Sequence, residues 1–564
     1  MTATNQELPA DEPAERASGL FHPRPRPQVI RDLVTRARTR FERMPDGARE
    51  TYLEDTLYSE RKRIARTKDA PERAHLDALA KALVHNDRER QIEAGLGLVS
   101  QWADEIHGRF NPTVYRLATG ALPRMLSVLL SRRPNRLGNW DLSPTARLAV
   151  KGNIELLRTL AREATLILTP THVSNLDSPL IGLALYLAGL PPFVYGAGLN
   201  LFDNPVVGWW MHRLGAYTVD RTKKGLLYKD VLKDYSIRAI TTRHHSLFFP
   251  GGTRCRSGRL EDRLKKGLLG TGIVGWQEML EAGRSDSEVY VVPLTLSYTL
   301  VLEAATLIED HLAEAGKQRY IITDDEFAKP SRLAAFARRV LDLDSAVIAH
   351  FGQPLDVLGN PVSADPEERR QQAIDRRRYV CDAEGRVEWD DQRDRVYTDR
   401  LAGRIVDSYM KNADVLATHA AAYAAWRCLG EDIGSRDPFR LVRTPLARRR
   451  FPRSRVMAML DKTLARVYDG VRDGRWDQAL PATSEYVLAV ALDRFATYHR
   501  SHALKAVGDD IVIEDPKLCL FYSNRLEFID RPGDAPVGPM DDSELVATPI
   551  GAPASAPPTD GGEE

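Results

Sequence analysis

Residues Ala164-Thr-Leu-Ile-Leu-Thr-Pro-Thr-His-Val-Ser-Asn-Leu-Asp-Ser-Pro179 decide how this chain is read. Thr165 to Leu168 is a short apolar run with the composition of a buried strand. Ser178-Pro179 then opens an apolar stretch to about Leu190, and Ser at an N-cap followed by Pro at the first helical position is a helix start. A strand that runs through a loop into a helix is the repeating unit of an α/β layer. That unit puts His172 on the loop and Asp177, five positions on, beside the helix N-terminus. Imidazole is the side chain best suited to taking a proton from a hydroxyl near neutral pH, and a carboxylate on its other nitrogen fixes the tautomer. The same two residues also read as a helix cap and an ordinary loop histidine, and the motif alone does not separate the two.

Working outward, β-rich runs recur at Thr165 to Leu168, Phe193 to Tyr195, Ala216 to Val219, Ser246 to Phe249, Val289 to Leu296 and Ala346 to Phe351, with helical stretches between them. The expected fold class is α/β, a mixed sheet flanked by helices, with N-terminal and C-terminal helical regions. The expected organisation is a disordered tail at 1–27, a helical region at 28–150 and the α/β domain at 151–360. A Pro-, Asp- and Arg-rich connecting region follows at 361–400, then a mainly helical region at 401–530 and a second disordered tail at 531–564.

Composition removes several classes. Lys plus Arg come to 79 against 78 Asp plus Glu in 564 residues, so there is no strongly basic field and no nucleic-acid partner is expected. Cys255, Cys381, Cys428 and Cys519 are dispersed, which offers neither a zinc knuckle nor a disulfide framework. No second cluster of His and carboxylates completes a ligand set, so no metal is expected. The polar start Met1-Thr-Ala-Thr-Asn-Gln-Glu lacks the pattern of a secretory signal, and the expected compartment is the cytoplasm. No run approaches the roughly 18 apolar residues of a membrane span. The segment Val114 to Leu130, with apolar residues near helical spacing and Arg116 and Arg124 within it, fits either a basic helix lying in a lipid interface or a core helix broken near Gly120 and Pro123.

Three further segments carry chemistry. Leu214-Gly-Ala-Tyr-Thr-Val-Asp-Arg-Thr-Lys-Lys224 is a strand ending on Arg221, where cations can meet an anion at a sheet edge or form a solvated charge run. Leu247-Phe-Phe-Pro-Gly-Gly-Thr-Arg-Cys-Arg-Ser-Gly-Arg259 breaks from an apolar strand into paired glycines and three arginines. Glycines let backbone N–H groups approach an anion and arginine forks match phosphate oxygens, so this turn is the most specific phosphate signal in the chain. Val291-Val-Pro-Leu-Thr-Leu-Ser-Tyr298, with Glu303 beyond, holds no base or nucleophile and reads mostly as a core strand.

In this order the four segments resemble the motifs of the glycerolipid acyltransferase superfamily, in particular the bacterial and mitochondrial glycerol-3-phosphate acyltransferases. His172 and Asp177 match the family's H-x4-D pair. Gly215-Ala-Tyr with Arg221 matches the second motif, Phe249-Pro-Gly-Gly-Thr-Arg-Cys-Arg256 the third, and Val292-Pro-Leu with Tyr298 and Glu303 the fourth. Ser257-Gly-Arg-Leu260, Phe351-Gly-Gln-Pro354 and Asp515-Pro-Lys-Leu-Cys-Leu-Phe-Tyr-Ser-Asn-Arg-Leu526 extend the similarity over most of 110 to 530. The chain departs from the pattern at Gly251, where the third motif has a glutamate that helps hold the acceptor, and at Asp220, where the second motif often has another arginine.

The resemblance implies an enzyme that moves a fatty acyl group from acyl-CoA or acyl-carrier protein to glycerol 3-phosphate, at the sn-1 position, in phospholipid biosynthesis. It needs no cofactor beyond the donor substrate. His172 is then the base and Asp177 its orienting carboxylate; Arg221, Arg254 and Arg256, with backbone N–H groups at Gly252 and Thr253, hold the acceptor phosphate. With no serine or cysteine in a nucleophile elbow, direct attack by the acceptor is expected. The expected location is peripheral, on the cytoplasmic face of the cell membrane. The alternatives are acylation of lysophosphatidate or another phosphorylated polyol, and a catalytically silent phospholipid-binding scaffold.

Overall fold

The structure is a computed structural model and describes residues 25–65, 71–118, 148–202, 205–316, 347–473 and 483–530. Both expected tails, apart from 25–27, and the part of the 114–130 segment beyond Ala118 lie outside these residues.

The centre is an eight-stranded sheet of β1 (Leu148–Lys151), β2 (Thr165–Pro170), β3 (Val194–Gly198), β4 (Ala216–Val219), β5 (Ser246–Leu247), β6 (Val289–Tyr298), β7 (Val347–Phe351) and β8 (Leu355–Asp356). The order is β1-β7-β6-β2-β5-β3-β4, with β8 on β6. Strands β6, β2, β5, β3 and β4 are mutually parallel, whereas β7 and β8 run antiparallel to β6. All six residues of β2 and all ten of β6 are buried, because helices cover both faces of a parallel sheet. Parallel strands also deliver the loops that follow β2, β4, β5 and β6 to one edge, which is where the four chemistry-bearing segments lie.

Before the sheet, the described residues include α1 (Arg26–Arg43), α2 (Asp46–Ile64), α3 (Arg73–Val84) and α4 (Arg88–Ile106), and residues 112–118 are also helical. Within the sheet's connections come α5 (Ile154–Glu163), α6 (Asp177–Leu187), α7 (Pro205–Arg213), α8 (Leu226–Thr241), α9 (Thr271–Glu281) and α10 (Ala304–Ala315). Then follow α11 (Pro366–Arg377), α12 (Asp391–Lys411), α13 (Ala417–Ile433), α14 (Arg453–Arg472), α15 (Ser484–Phe495) and α16 (Pro516–Asn524). The N-terminal helices share a core with α8 and the β3–β4 edge through Phe41, Leu96, Trp102, Tyr217 and Tyr228. Helices α13 to α16 form one continuous apolar cluster with β2, β6 and β7, so the C-terminal helices are packed on the same core as the sheet.

Each β-rich run named above is a strand, and three differences carry a physical reason. Helix α6 begins at Asp177 rather than after a Ser178 cap, because the loop is closed from behind by Asp177 accepting the N–H groups of Val173 and Ser174. The 401–530 region also contains a three-stranded antiparallel sheet, β9 (Arg450–Pro452), β10 (Lys505–Val507) and β11 (Asp510–Val512), whose strands are too short to show a period. The charge-rich 361–400 stretch is partly buried. Arg376 is 4% exposed, pairs with Glu288 and Asp356, and lies over the rings of Trp276 and Tyr290 at 5.4 and 5.7 Å. Buried carboxylates, not solvent, explain that arginine.

Candidate active site

The loop after β2 is organised by one carboxylate. Asp177 is fully buried. Its Oδ2 accepts from the N–H groups of Val173 at 2.6 Å and Ser174 at 3.0 Å and lies 2.8 Å from His172 Nδ1, while Oδ1 accepts from the Tyr298 hydroxyl. An oxygen already facing two N–H donors acts as an acceptor, so Nδ1 carries the imidazole hydrogen and Nε2 is left as the basic nitrogen. Among the described residues nothing hydrogen-bonds Nε2. The ring stacks on Phe249 with centroids 4.1 Å apart and planes 23° apart, so its orientation is held from the β5 side. Burial first, and the Asp177 charge second, push the Tyr298 hydroxyl well above the ordinary tyrosine pKa, which keeps it a donor to Asp177.

Glu303 joins the loops. It is 1% exposed; Oε1 accepts from Asn175 N–H at 2.9 Å and from Arg254 Nη1 at 3.3 Å, and Oε2 accepts from the Ser174 hydroxyl at 2.8 Å. Burial raises its pKa above the usual glutamate range. The arginine of the glycine turn is thereby tied to the His172 loop. A second tie is Cys255 N–H donating to the His172 carbonyl at 2.7 Å.

The predicted anion-binding residues separate into groups. Arg221 stands against Arg254, and among the described residues it has no acidic partner; desolvation, then the Arg254 charge, lower its pKa from the ordinary value. Two neighbouring cations, of which only Arg254 has a carboxylate, Glu303, are a place an anion stabilises. Arg256 turns away to pair with Glu314 of α10 at 2.9 Å. The Gly252 N–H donates to the Phe249 carbonyl at 3.0 Å, with φ 77°, so that glycine shapes the turn and its N–H is not free for an anion. Thr253 is exposed at the turn's tip, beside Arg254. Asp220 does not project toward this pocket: its Oδ1 accepts from the Thr222 N–H and hydroxyl at 2.9 and 2.7 Å. Lys223 is buried between Glu72, at 2.7 Å, and Glu105.

Sequence reading missed two supports. Glu261 accepts the His172 N–H at 2.8 Å, and no motif spacing marks it. Helix α16 buttresses the site from below: Asn524 Nδ2 donates to the Ser257 carbonyl at 2.8 Å and the buried Arg525 donates to the Leu296 carbonyl. Gly258, at φ 81°, is required there because a Cβ would stand 2.1 Å from the Phe521 carbonyl oxygen. The closing segment was visible as a motif, but its contact with the glycine turn was not. Among the described residues no group of three or more His, Cys, Asp or Glu is placed to hold a metal ion.

Residues 151–297 match the family described as Acyltransferase. The chain is 29% identical over 287 residues to a glycerol-3-phosphate acyltransferase of Ectopseudomonas mendocina (strain ymp), covering 47% of this chain and 33% of that protein. It is 28% identical over 309 residues to the glycerol-3-phosphate acyltransferase of Pseudomonas putida, covering 53% and 34%. The matched stretch thus spans about a third of the length of these curated relatives. The crystal structure of the 1-acyl-sn-glycerophosphate (LPA) acyltransferase PlsC from Thermotoga maritima aligns over 58% of this chain and 92% of that one at 16% identity, with a TM-score of 0.24, too loose a superposition to carry weight. Residues 151–297, which hold the His172–Asp177 pair, are thus similar to acyltransferase domains, and the relatives that share this stretch are glycerol-3-phosphate acyltransferases.

Proposed function

We propose that the protein transfers a fatty acyl group from a thioester, acyl-CoA or acyl-carrier protein, to the sn-1 hydroxyl of glycerol 3-phosphate. The observation that carries this reading is His172, held by Asp177 through Nδ1 with Nε2 unpartnered, on the sheet edge that also presents Arg221 and Arg254. Nε2 takes the acceptor hydroxyl's proton as that oxygen bonds to the thioester carbonyl carbon. Asp177 then faces the imidazolium. The C–S bond breaks, the proton passes from Nε2 to the departing sulfur, and the ester leaves with His172 neutral again. A base so placed contributes about 10²- to 10⁴-fold in rate. Arg221 and Arg254 hold the acceptor phosphate, with Arg254 kept in place by Glu303.

A membrane surface is the proposed site of action. Among the described residues no helix is long and apolar enough to cross a membrane. The support for peripheral contact is an aromatic, basic surface on α7, where Trp209 is 44% and Trp210 36% exposed and Arg213 lies 4.0 Å from the Trp209 ring centroid. The turn Leu199–Phe202 and the segment 109–118, with Leu199 and Leu117 exposed, adjoin it. Aromatic rings beside arginine suit an interface with anionic headgroups.

The test is purified wild type beside His172→Ala, given both thioester types and a panel of phosphorylated polyols, with products identified by mass spectrometry. Wild type is expected to acylate glycerol 3-phosphate and the variant to lose about 10²-fold or more. Equal transfer by the two removes His172 from the chemistry; vesicle binding with no turnover by wild type replaces the enzyme with a lipid-binding scaffold.

A further inference from the structure

The glycine turn of the third motif is closed by side chains that come from elsewhere. After Arg259 the chain doubles back, and Lys265 N–H donates to the Pro250 carbonyl at 2.7 Å. Along this return the Glu261 side chain enters the space above Gly251. A Cβ built on Gly251 would lie 2.7 Å from Glu261 Cδ, 2.8 Å from Oε2 and 2.9 Å from Oε1, closer than any real Cβ contact. No residue but glycine leaves that space open. From there Oε1 accepts the His172 N–H at 2.8 Å, and Oε2 is shut off from solvent beside the Gly251 backbone.

We propose that Glu261 is a positioning residue for His172, a carboxyl group delivered from the returning loop into the space that Gly251 leaves empty. The proposal rests on the reading of His172 as the base. Two anchors then fix that residue independently: Asp177 holds the imidazole, and Glu261 holds the backbone from which it projects. The groups that face Glu261 are Asp177 and Cys255 from the neighbouring loops, Tyr409 from α12 and Arg525 at the end of α16. Burial first, with the Asp177 charge adding to it, pushes the Glu261 carboxyl up to about 8. At neutral pH the group therefore keeps its proton, and Asp177 is the anion that stabilises the imidazolium. Gly251 and Glu261 act as a unit, because any side chain at 251 evicts the carboxyl.

The experiment compares Glu261→Ala, Glu261→Gln, Gly251→Ala and the Gly251→Ala/Glu261→Ala double variant of the full chain. Glycerol 3-phosphate kinetics are measured as a function of pH, with the His172 imidazole titration followed by NMR. Glu261→Ala is expected to lower kcat about 10- to 100-fold with little change in acceptor KM, as a loosened base does. Glu261→Gln keeps the Oε1 acceptor and should recover most of that loss, but without the inflection near pH 8 expected of wild type. Gly251→Ala should behave as Glu261→Ala, and the double variant should be no worse than either. The His172 titration should move in Glu261→Ala. A wild type inactive on every acceptor sinks the acyltransfer reading. Wild-type kcat in Glu261→Ala, an unmoved His172 titration, or equal losses in the Ala and Gln variants with lowered Tm sinks the positioning role.

Discussion

The loops after β2 and β4 look alike as sequence, each a buried strand running into an acid and a base, yet the structure puts them to opposite uses. After β2, one buried carboxylate gathers two backbone N–H groups, a tyrosine hydroxyl and Nδ1 of His172, and the far side of the imidazole is left bare. After β4, Asp220 closes its own turn and Lys223 is consumed between Glu72 and Glu105, over the rings of Trp102 and Tyr228 at 5.6 and 5.4 Å. Arg221 of that loop stands beside Arg254 without an acidic partner among the described residues. A charged residue at the end of a parallel strand is therefore chemical or structural according to whether its partners leave a valence free.

Three substitutions probe this contrast, the largest effect first. Asp177→Asn should lower transfer by about 10²- to 10⁴-fold, since the amide no longer supplies the charge that faces the imidazolium. Steady-state kinetics beside an unchanged circular dichroism spectrum check it, and a small effect would return Asp177 to a helix cap. Lys223→Met should lower stability, because it takes one of two cations, Lys223 and Arg63, from the buried Glu72 and the ammonium from Glu105, while activity per folded molecule persists. Denaturant unfolding measures the loss, and a variant as stable as wild type would mean the cluster is not structural. Arg221→Ala should raise the acceptor KM by the worth of a charge-assisted hydrogen bond, about 1.5–3 kcal/mol, with little change in Tm. Were KM to stay at its wild-type value, the phosphate would have to be sought elsewhere on the sheet edge.

What was legible in the chain follows the range of the forces involved. The strands showed because branched apolar runs between helical stretches have one low-energy layered arrangement. His172 and Asp177 showed because both sit on one short loop, whose geometry local signals nearly determine. The stretch 361–400 reads as a connecting region because it is rich in Pro, Asp and Arg; Arg376 within it is buried, and only the fold brings Glu288 and Asp356 to it. The Asp220 and Gly251 departures looked like losses at the anion site. Asp220 proves to be a local turn, and Gly251 proves to be the opening that admits Glu261.

By itself the sequence determined the α/β layering, the order of the four segments and the pairing of His172 with Asp177, all consequences of local patterning and of residues close along the chain. The tertiary structure decided which charges are free. Arg525 reaches Leu296 from 229 residues away, Glu303 binds Asn175 from 128, and Glu261 binds His172 from 89. Hydrogen bonds act over a few ångströms in space and leave no periodic trace in the chain, so only packing reveals which polar groups are satisfied and which are left for a substrate.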